Sequence, residues 1–408
     1  MLRPLTFGLL LLAIASPRAT VSALELGTDR LGIRETGLES PGSASLEPLN
    51  SASSLRPAWH AVSNVTSGLD ERDVVASLAS LLNVPWATSS LESRLLDDAT
   101  EGRLDQWALV EAALVAGGVK DVVDLNRYSA QMKQWSVAAL AADRPREATR
   151  KRAANVLELM HARIMPRGYQ IDATDLTAVL DHGQFNCVSA TVLFMAISAE
   201  LGLHVTAIEL PTHAFCRVTA GDETFDVEPT CRRWFDVIDD PQARAAVSRR
   251  IAGPSGDGAA APRTVSSAQL LAVIYYNRGV DLIRRGDDTG AIVANLRAMS
   301  LDPQSATARG NLWVAVNNSA LGQCRDQRFS AAAGLISRAR QAVPHHAALK
   351  ANELYIYQQW SAELCRQNRL TEAMAVLDAG LARQPESEIL AARRIEIQKS
   401  MDSGRGGK

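Results

Sequence analysis

The chain has 408 residues, enough for two or three domains, and its 47% hydrophobic and 22% charged residues are those of an ordinary soluble globular protein. A formal net charge of −2 excludes the strong basic field that nucleic acid or an anionic membrane would require of a partner. Only 5% of residues are aromatic and alanine is abundant, which favours helix over sheet.

Arg3, an apolar run over 5–15, Pro17 and the small residues Val21-Ser22-Ala23 have the order of a secretory signal, with cleavage expected after Ala23. The run is shorter than the ~20 apolar residues needed to span a bilayer, and no later stretch reaches that length. The expected location is the periplasm or cell surface of a bacterium. Residues 24–68, rich in Ser, Pro and Gly without a period, read as a disordered linker. Asn64-Val65-Thr66 within it matches a glycosylation sequon. Export bears on the five cysteines, Cys187, Cys216, Cys231, Cys324 and Cys365. In an oxidising compartment four can pair and leave one thiol over.

Residues 69–150 read as a helical region. Val74, Leu78, Leu81 and Leu82 share three- and four-residue spacing, as do Trp107, Val110, Leu114 and Val115, where Gly117-Gly118 stops the segment. Ala153, Leu157, Met160 and Ile164 continue the pattern into a core over 151–235. The segment from Cys187 to Gly202 is apolar nearly all round and predicts a buried helix closed by Gly202. Three β-like runs follow, over 205–210, 214–218 and 224–227, with a turn at Gly221-Asp222 between the last two. Helix followed by antiparallel strands is an α+β arrangement. Residues 236–266, with Pro254-Ser-Gly-Asp-Gly258 and Pro262, read as a second linker.

Beyond it, 267–400 contain an internal repeat. Pro303, Pro344 and Pro385 are 41 residues apart, as are Ala291, Ala332 and Ala373, then Ala298, Ala339 and Gly380, then Gly279, Ala320 and Ser361. Small residues at fixed distances before a proline are what two close-packed antiparallel helices need at their crossing. The columns resemble the tetratricopeptide repeat, although about 34 residues is usual there. The resemblance implies an α-solenoid that binds peptides or proteins. Cys324 and Cys365 occupy equivalent positions in neighbouring units and are expected to be core thiols.

Chemistry concentrates around Cys187. A cysteine in the first turn of a buried helix meets free N–H groups and the positive end of the helix dipole, which favour a thiolate and can hold an oxyanion. The preceding stretch, Asp181-His-Gly-Gln-Phe-Asn186, is polar and contains Gly, so Gln184 and Asn186 are candidates for an oxyanion or substrate loop. His182 sits on that loop as a substrate-side or exposed residue. His213, in Pro-Thr-His-Ala-Phe at the mouth of a strand, is the candidate base. Asp226 and Glu228 lie at i and i+2 and project to one face, so either can orient the His213 ring. Cys216 and Cys231 could pair across the hairpin. There is no C-x-x-C and no H-x-x-x-H, so neither a metal nor another cofactor is expected.

Taken together, Asn186-Cys187-Val-Ser, a helix ending Leu201-Gly202-Leu203, Pro-Thr-His213-Ala-Phe and Val-Glu-Pro-Thr resemble the transglutaminase-like core family over residues 150–235. That resemblance implies a papain-like α+β core, preceded by helices and followed by the all-α repeats. It also implies a Cys, His, acid triad, in which Glu228 stands where the family's Asp-Pro-Thr motif carries its acid. The function expected is an exported thiol enzyme acting on amide or ester bonds, by hydrolysis or acyl transfer, of a protein or peptide recruited by the repeats. The alternative is a non-catalytic scaffold or envelope assembly factor that uses the repeats for binding.

Overall fold

A computed structural model describes residues 71–83, 89–210, 212–252 and 262–405. The expected signal, the linker over 24–68, the sequon at Asn64 and the glycine-rich turn after Pro254 lie outside the described residues. The protein is mostly helical, with a small antiparallel sheet and a C-terminal helical stretch. The papain-like core expected from the sequence is not what this architecture shows: among the described residues six short strands, four of them in one sheet, form a minor part of a body dominated by helices.

Helices α1 (Glu71–Leu82), α2 (Ser90–Asp98), α3 (Leu109–Gly117), α4 (Val122–Ala142) and α5 (Thr149–Leu159) follow the predicted apolar spacing. At its end α5 widens into one π-turn, Met160–Ile164. A two-residue strand β1 (Gly168–Tyr169), helix α6 (Leu176–His182) and strand β2 (Gln184–Phe185) lead into α7 (Cys187–Glu200). Because α7 has no polar face, it is the centre of the core, with Ala190, Val192, Leu193, Phe194 and Ile197 fully buried.

Strands β3 (His204–Leu210), β4 (His213–Ala220) and β5 (Glu223–Val227) cover the three predicted runs. The stretch 236–266 is not a bare linker. After α8 (Trp234–Val237) it carries α9 (Pro241–Ala252) and a fourth strand, β6 (Arg263–Val265), which pairs antiparallel with β3. The sheet order is β5-β4-β3-β6. Ala207, Cys216, Val218 and Val227 are completely buried, and Cys216 Sγ reaches the Thr191 carbonyl of α7 at 3.8 Å.

The C-terminal stretch consists of α10 (Ser267–Arg284), α11 (Asp288–Leu301), α12 (Ala306–Arg325), α13 (Phe329–Ala342), α14 (Ala347–Arg366), α15 (Leu370–Arg383) and α16 (Glu388–Arg405). The second helices of the pairs, α11, α13 and α15, begin 41 residues apart, at Asp288, Phe329 and Leu370. Pro303, Pro344 and Pro385 each stand two residues beyond their ends. Ala291, Ala298, Ala320, Ala332, Ala339, Ser361 and Ala373 are fully buried, as small residues at helix crossings must be.

The repeats are joined to the core through neighbouring tyrosines of α10. Tyr275 donates to Glu92 of α2 at 2.9 Å, and Tyr276 donates to Glu209 of β3 at 2.8 Å. Arg297 of α11 pairs with the same Glu92, and Arg263 of β6 bridges Glu209 to Asp302. Both members of the Glu92 and Arg297 pair are more than nine-tenths buried. Removing one partner of such a pair strands the other charge, at a cost of about 3–5 kcal/mol. Glu92→Ala is therefore expected to lower unfolding free energy by that amount in urea titrations. Glu92→Gln, which can still accept from Tyr275, should lose less; equal losses would contradict this account of the junction.

Candidate functional site

The site is built around the start of α7. Asn186 is its N-cap, with the side-chain oxygen accepting from the N–H of Val188 at 2.9 Å and of Ser189 at 3.2 Å. Ser189 returns a capping-box bond to the Asn186 N–H. The Asn186 amide nitrogen donates to Thr174 Oγ1 at 2.6 Å and to the Ile171 carbonyl at 3.1 Å. Both ends of the Asn186 carboxamide, a candidate for the substrate loop, are thus engaged within the protein. Nor is the helix start a row of free amides. Among the first four, only the Cys187 N–H has no hydrogen-bond partner among the described residues, since Ala190 N–H bonds the Asn186 carbonyl.

The stretch before the cysteine is ordered rather than an open loop. Asp181 and His182 end α6, where Asp181 accepts from Tyr128 of α4 at 2.5 Å. Gly183 follows at φ +66°, and a Cβ there would lie 2.8 Å from the Pro166 ring, so both conformation and space require glycine. Gln184 is half-buried on β2, in parallel register with Gly168.

Cys187, His213 and Glu228 come together, with relative exposures of 8%, 6% and 6%. His213 Nε2 lies 2.6 Å from Glu228 Oε2, and the ring is close enough to the Cys187 thiol to interact with it. With Nε2 donating to the carboxylate, Nδ1 is the nitrogen left for sulfur. Burial alone would lower the His213 pKa; the bonds to Cys187 and Glu228 outweigh it and push it up to about 10. The ring thus holds its proton at neutral pH, between a sulfur and a carboxylate.

The choice between the two acids is decided by their partners. Glu228 Oε1 accepts from the Thr230 hydroxyl at 2.6 Å and the Thr230 N–H at 3.1 Å, which leaves Oε2 aimed at the histidine. Asp226 shares its face but is paired across the strands with Arg217, at 2.6 and 3.1 Å, and is half-exposed. Its carboxylate meets Arg217, whereas that of Glu228 meets His213.

Two neighbours of the triad carried no signal in the sequence. His161, in the π-turn, lies 2.9 Å from the Pro229 carbonyl through Nε2 and packs edge-on against Phe185, so one ring braces both shoulders of the site. Burial lowers its pKa. Tyr169 of β1 reaches the Cys187 sulfur with its hydroxyl. A cavity of about 670 Å3 opens on the outer side of the sheet, lined by His213, Glu228, Phe215, Arg217, Asp226 and Trp234 among others, but not by Cys187.

None of the five cysteines is in a disulfide. Cys216 and Cys231, which could have paired across the hairpin, lie apart: Cys216 points into the core against α7, while Cys231 is half-buried in the turn after Glu228. Cys324 is buried and Cys365 half-buried, as repeat-core thiols. Among the described residues no cluster of His, Cys, Asp and Glu could hold a metal, and no helix is long and apolar enough to cross a membrane.

No family model matches the chain, and no curated protein matches it. Among solved structures it aligns with menin, described as revealing the binding site for Mixed Lineage Leukemia (MLL) protein. That alignment has 15% identity over 74% of this chain and 68% of menin, with a TM-score of 0.28, too loose a likeness to carry an inference. The resemblance to the transglutaminase-like family with tetratricopeptide-type repeats is thereby corrected. It rested on short motifs around Cys187, His213 and Glu228 and on the repeat columns, while the described residues are mostly helical with a small sheet and no family model matches. The three side chains stand on their own geometry.

That geometry has a consequence for stability. The His213 pKa lies above the ~6.5 of an unfolded histidine, so its contribution is complete below that pH and is lost as pH rises through about 10. In urea titrations the stability gap between wild type and His213→Gln is expected to be widest near pH 5.5 and to close toward pH 10. A gap that widens with pH would have the wrong sign.

Proposed function

We propose that the chain is a thiol enzyme acting on amide or ester carbonyls, with Cys187 as nucleophile, His213 as the proton carrier and Glu228 as the group that orients the ring. The observation that carries this reading is the buried run of contacts from the Cys187 sulfur through the His213 ring to Glu228 Oε2, 2.6 Å from Nε2. A protonated imidazole against sulfur favours the thiolate, the nucleophilic form. When the tetrahedral intermediate collapses, the same ring can give its proton to the departing amine or alcohol. The acyl group then passes to water or to an amine, and the acceptor is the part of the reaction that these residues do not select.

The compartment we propose is the bacterial periplasm or cell surface, on the order of charge, apolar run and small residues before Ala23. We assign protein or peptide recruitment to the 41-residue helical pairs. Their attachment to the core through Tyr275 and Tyr276 would hold a recruited chain at a constant distance from the thiol.

Site-resolved alkylation tests the central claim. Cys187 is expected to react readily with iodoacetamide and to lose that reactivity in His213→Ala. The buried Cys216, whose pKa is pushed well up by desolvation, provides an unreactive internal reference. Slow labelling of Cys187 at equal rates in both proteins would remove the basis for an enzyme and favour a scaffold.

A further inference from the structure

The Cys187 sulfur has a second neighbour besides His213. Tyr169 is placed there by backbone: β1 and β2 pair in parallel with Tyr169 opposite Phe185, two residues before the cysteine. The Arg167 N–H donates to the Gly183 carbonyl and the Gln170 N–H to the Phe185 carbonyl, at 3.1 and 2.8 Å, which ties both ends of β1 to the segment that delivers the thiol. Gly168, at φ +89°, sets the turn into the strand. The phenol ring stands edge-on to Phe185, 6.1 Å between centroids, and its hydroxyl is close enough to the Cys187 sulfur to interact with it. Tyr169 remains 38% exposed while Cys187 is 8% exposed, so the phenol is open to solvent beside a buried sulfur.

Attack on a carbonyl needs donors where the oxygen becomes an oxyanion. Helix α7 supplies one such group, the Cys187 N–H, because the Asn186 cap occupies the amides of Val188 and Ser189. We infer that Tyr169 supplies the other: its O–H, resting on the sulfur, turns to the substrate oxygen as the sulfur is acylated. The inference rests on the thiol-enzyme reading. In the step itself a sulfur lone pair forms the S–C bond, and the carbonyl π pair moves onto oxygen. That oxygen accepts from Tyr169 O–H and Cys187 N–H. On collapse the carbonyl re-forms and the bond to nitrogen or oxygen breaks, the leaving group taking the proton from His213. Tyr169 keeps its own proton throughout, consistent with desolvation and the nearby sulfur and Glu228 raising its pKa.

Two probes on the full-length protein separate this role from others. p-Nitrophenyl acetate acylates the thiol through an oxyanion, whereas iodoacetamide alkylates it by displacement at a saturated carbon, where no oxyanion forms. In Tyr169→Phe, acetylation of Cys187 is expected to fall about 10²-fold, the usual effect of losing one oxyanion donor, while alkylation changes less than about twofold. A parallel fall in both rates would make Tyr169 a positioning residue for the thiol, a parallel rise would make it only a cover, and no change would leave it no role; each overturns the inference. Failure of the thiol-enzyme reading looks different: wild-type Cys187 itself would show no reaction with either probe that depends on His213.

Discussion

The hydrogen bonds of Asn186 are the constraint on which the rest of the site depends. A helix that is apolar all round, as α7 is, cannot send its first amides to water, and each left unpaired in the core costs about 1–3 kcal/mol. The cap therefore has to come from inside, and Asn186 provides it with one carboxamide oxygen. The other end of that carboxamide holds Thr174 and the Ile171 carbonyl, so the cap also anchors the segment that carries Tyr169. Cys187 is the first residue after this knot. Its position is set by bonds that its own side chain does not make.

The electrostatics follow from the same economy of partners. Every oxygen of Glu228 is engaged, Oε1 by Thr230 and Oε2 by His213, which gives a physical reason for the Glu-Pro-Thr order in the strand-end motif. Pro229 passes its carbonyl to His161, so the turn is held from both sides. Asp226 is drawn away by Arg217, a half-exposed pair worth little to stability yet sufficient to take that carboxylate out of competition for the histidine. Desolvation opposes a charged ring at His213, and the paired sulfur and carboxylate overcome it.

The repeats are attached to this body by a few polar contacts in an otherwise apolar seam. Leu270, Leu271, Ala272, Val273 and Ile274 of α10 are buried, and the adjacent Tyr275 and Tyr276 fan out to two different carboxylates, one in the N-terminal helices and one in the sheet. Burying a carboxylate without such donors would cost several kcal/mol. Arg263 and Arg297 complete the compensation, and β6, which brings Arg263, lies in a stretch whose composition reads as a linker.

Periodicity by itself determined much of the fold. The all-round apolar run set α7, the alternating runs set β3 to β5 within a residue or two, and the 41-residue spacing of small residues and prolines set the helix pairs. Cys187 and His213 were legible because a helix start and a strand mouth are local features. The family resemblance drawn from those motifs did not survive comparison of the whole chain, since short motifs report a local arrangement and not an architecture. Only the tertiary structure decided that Glu228 and not Asp226 meets the histidine, that Asn186 caps the helix, and that Tyr169 and His161 lie beside these residues. The reason is physical: each depends on which donor from a distant segment reaches a given oxygen or sulfur, and such pairings leave no period in the sequence.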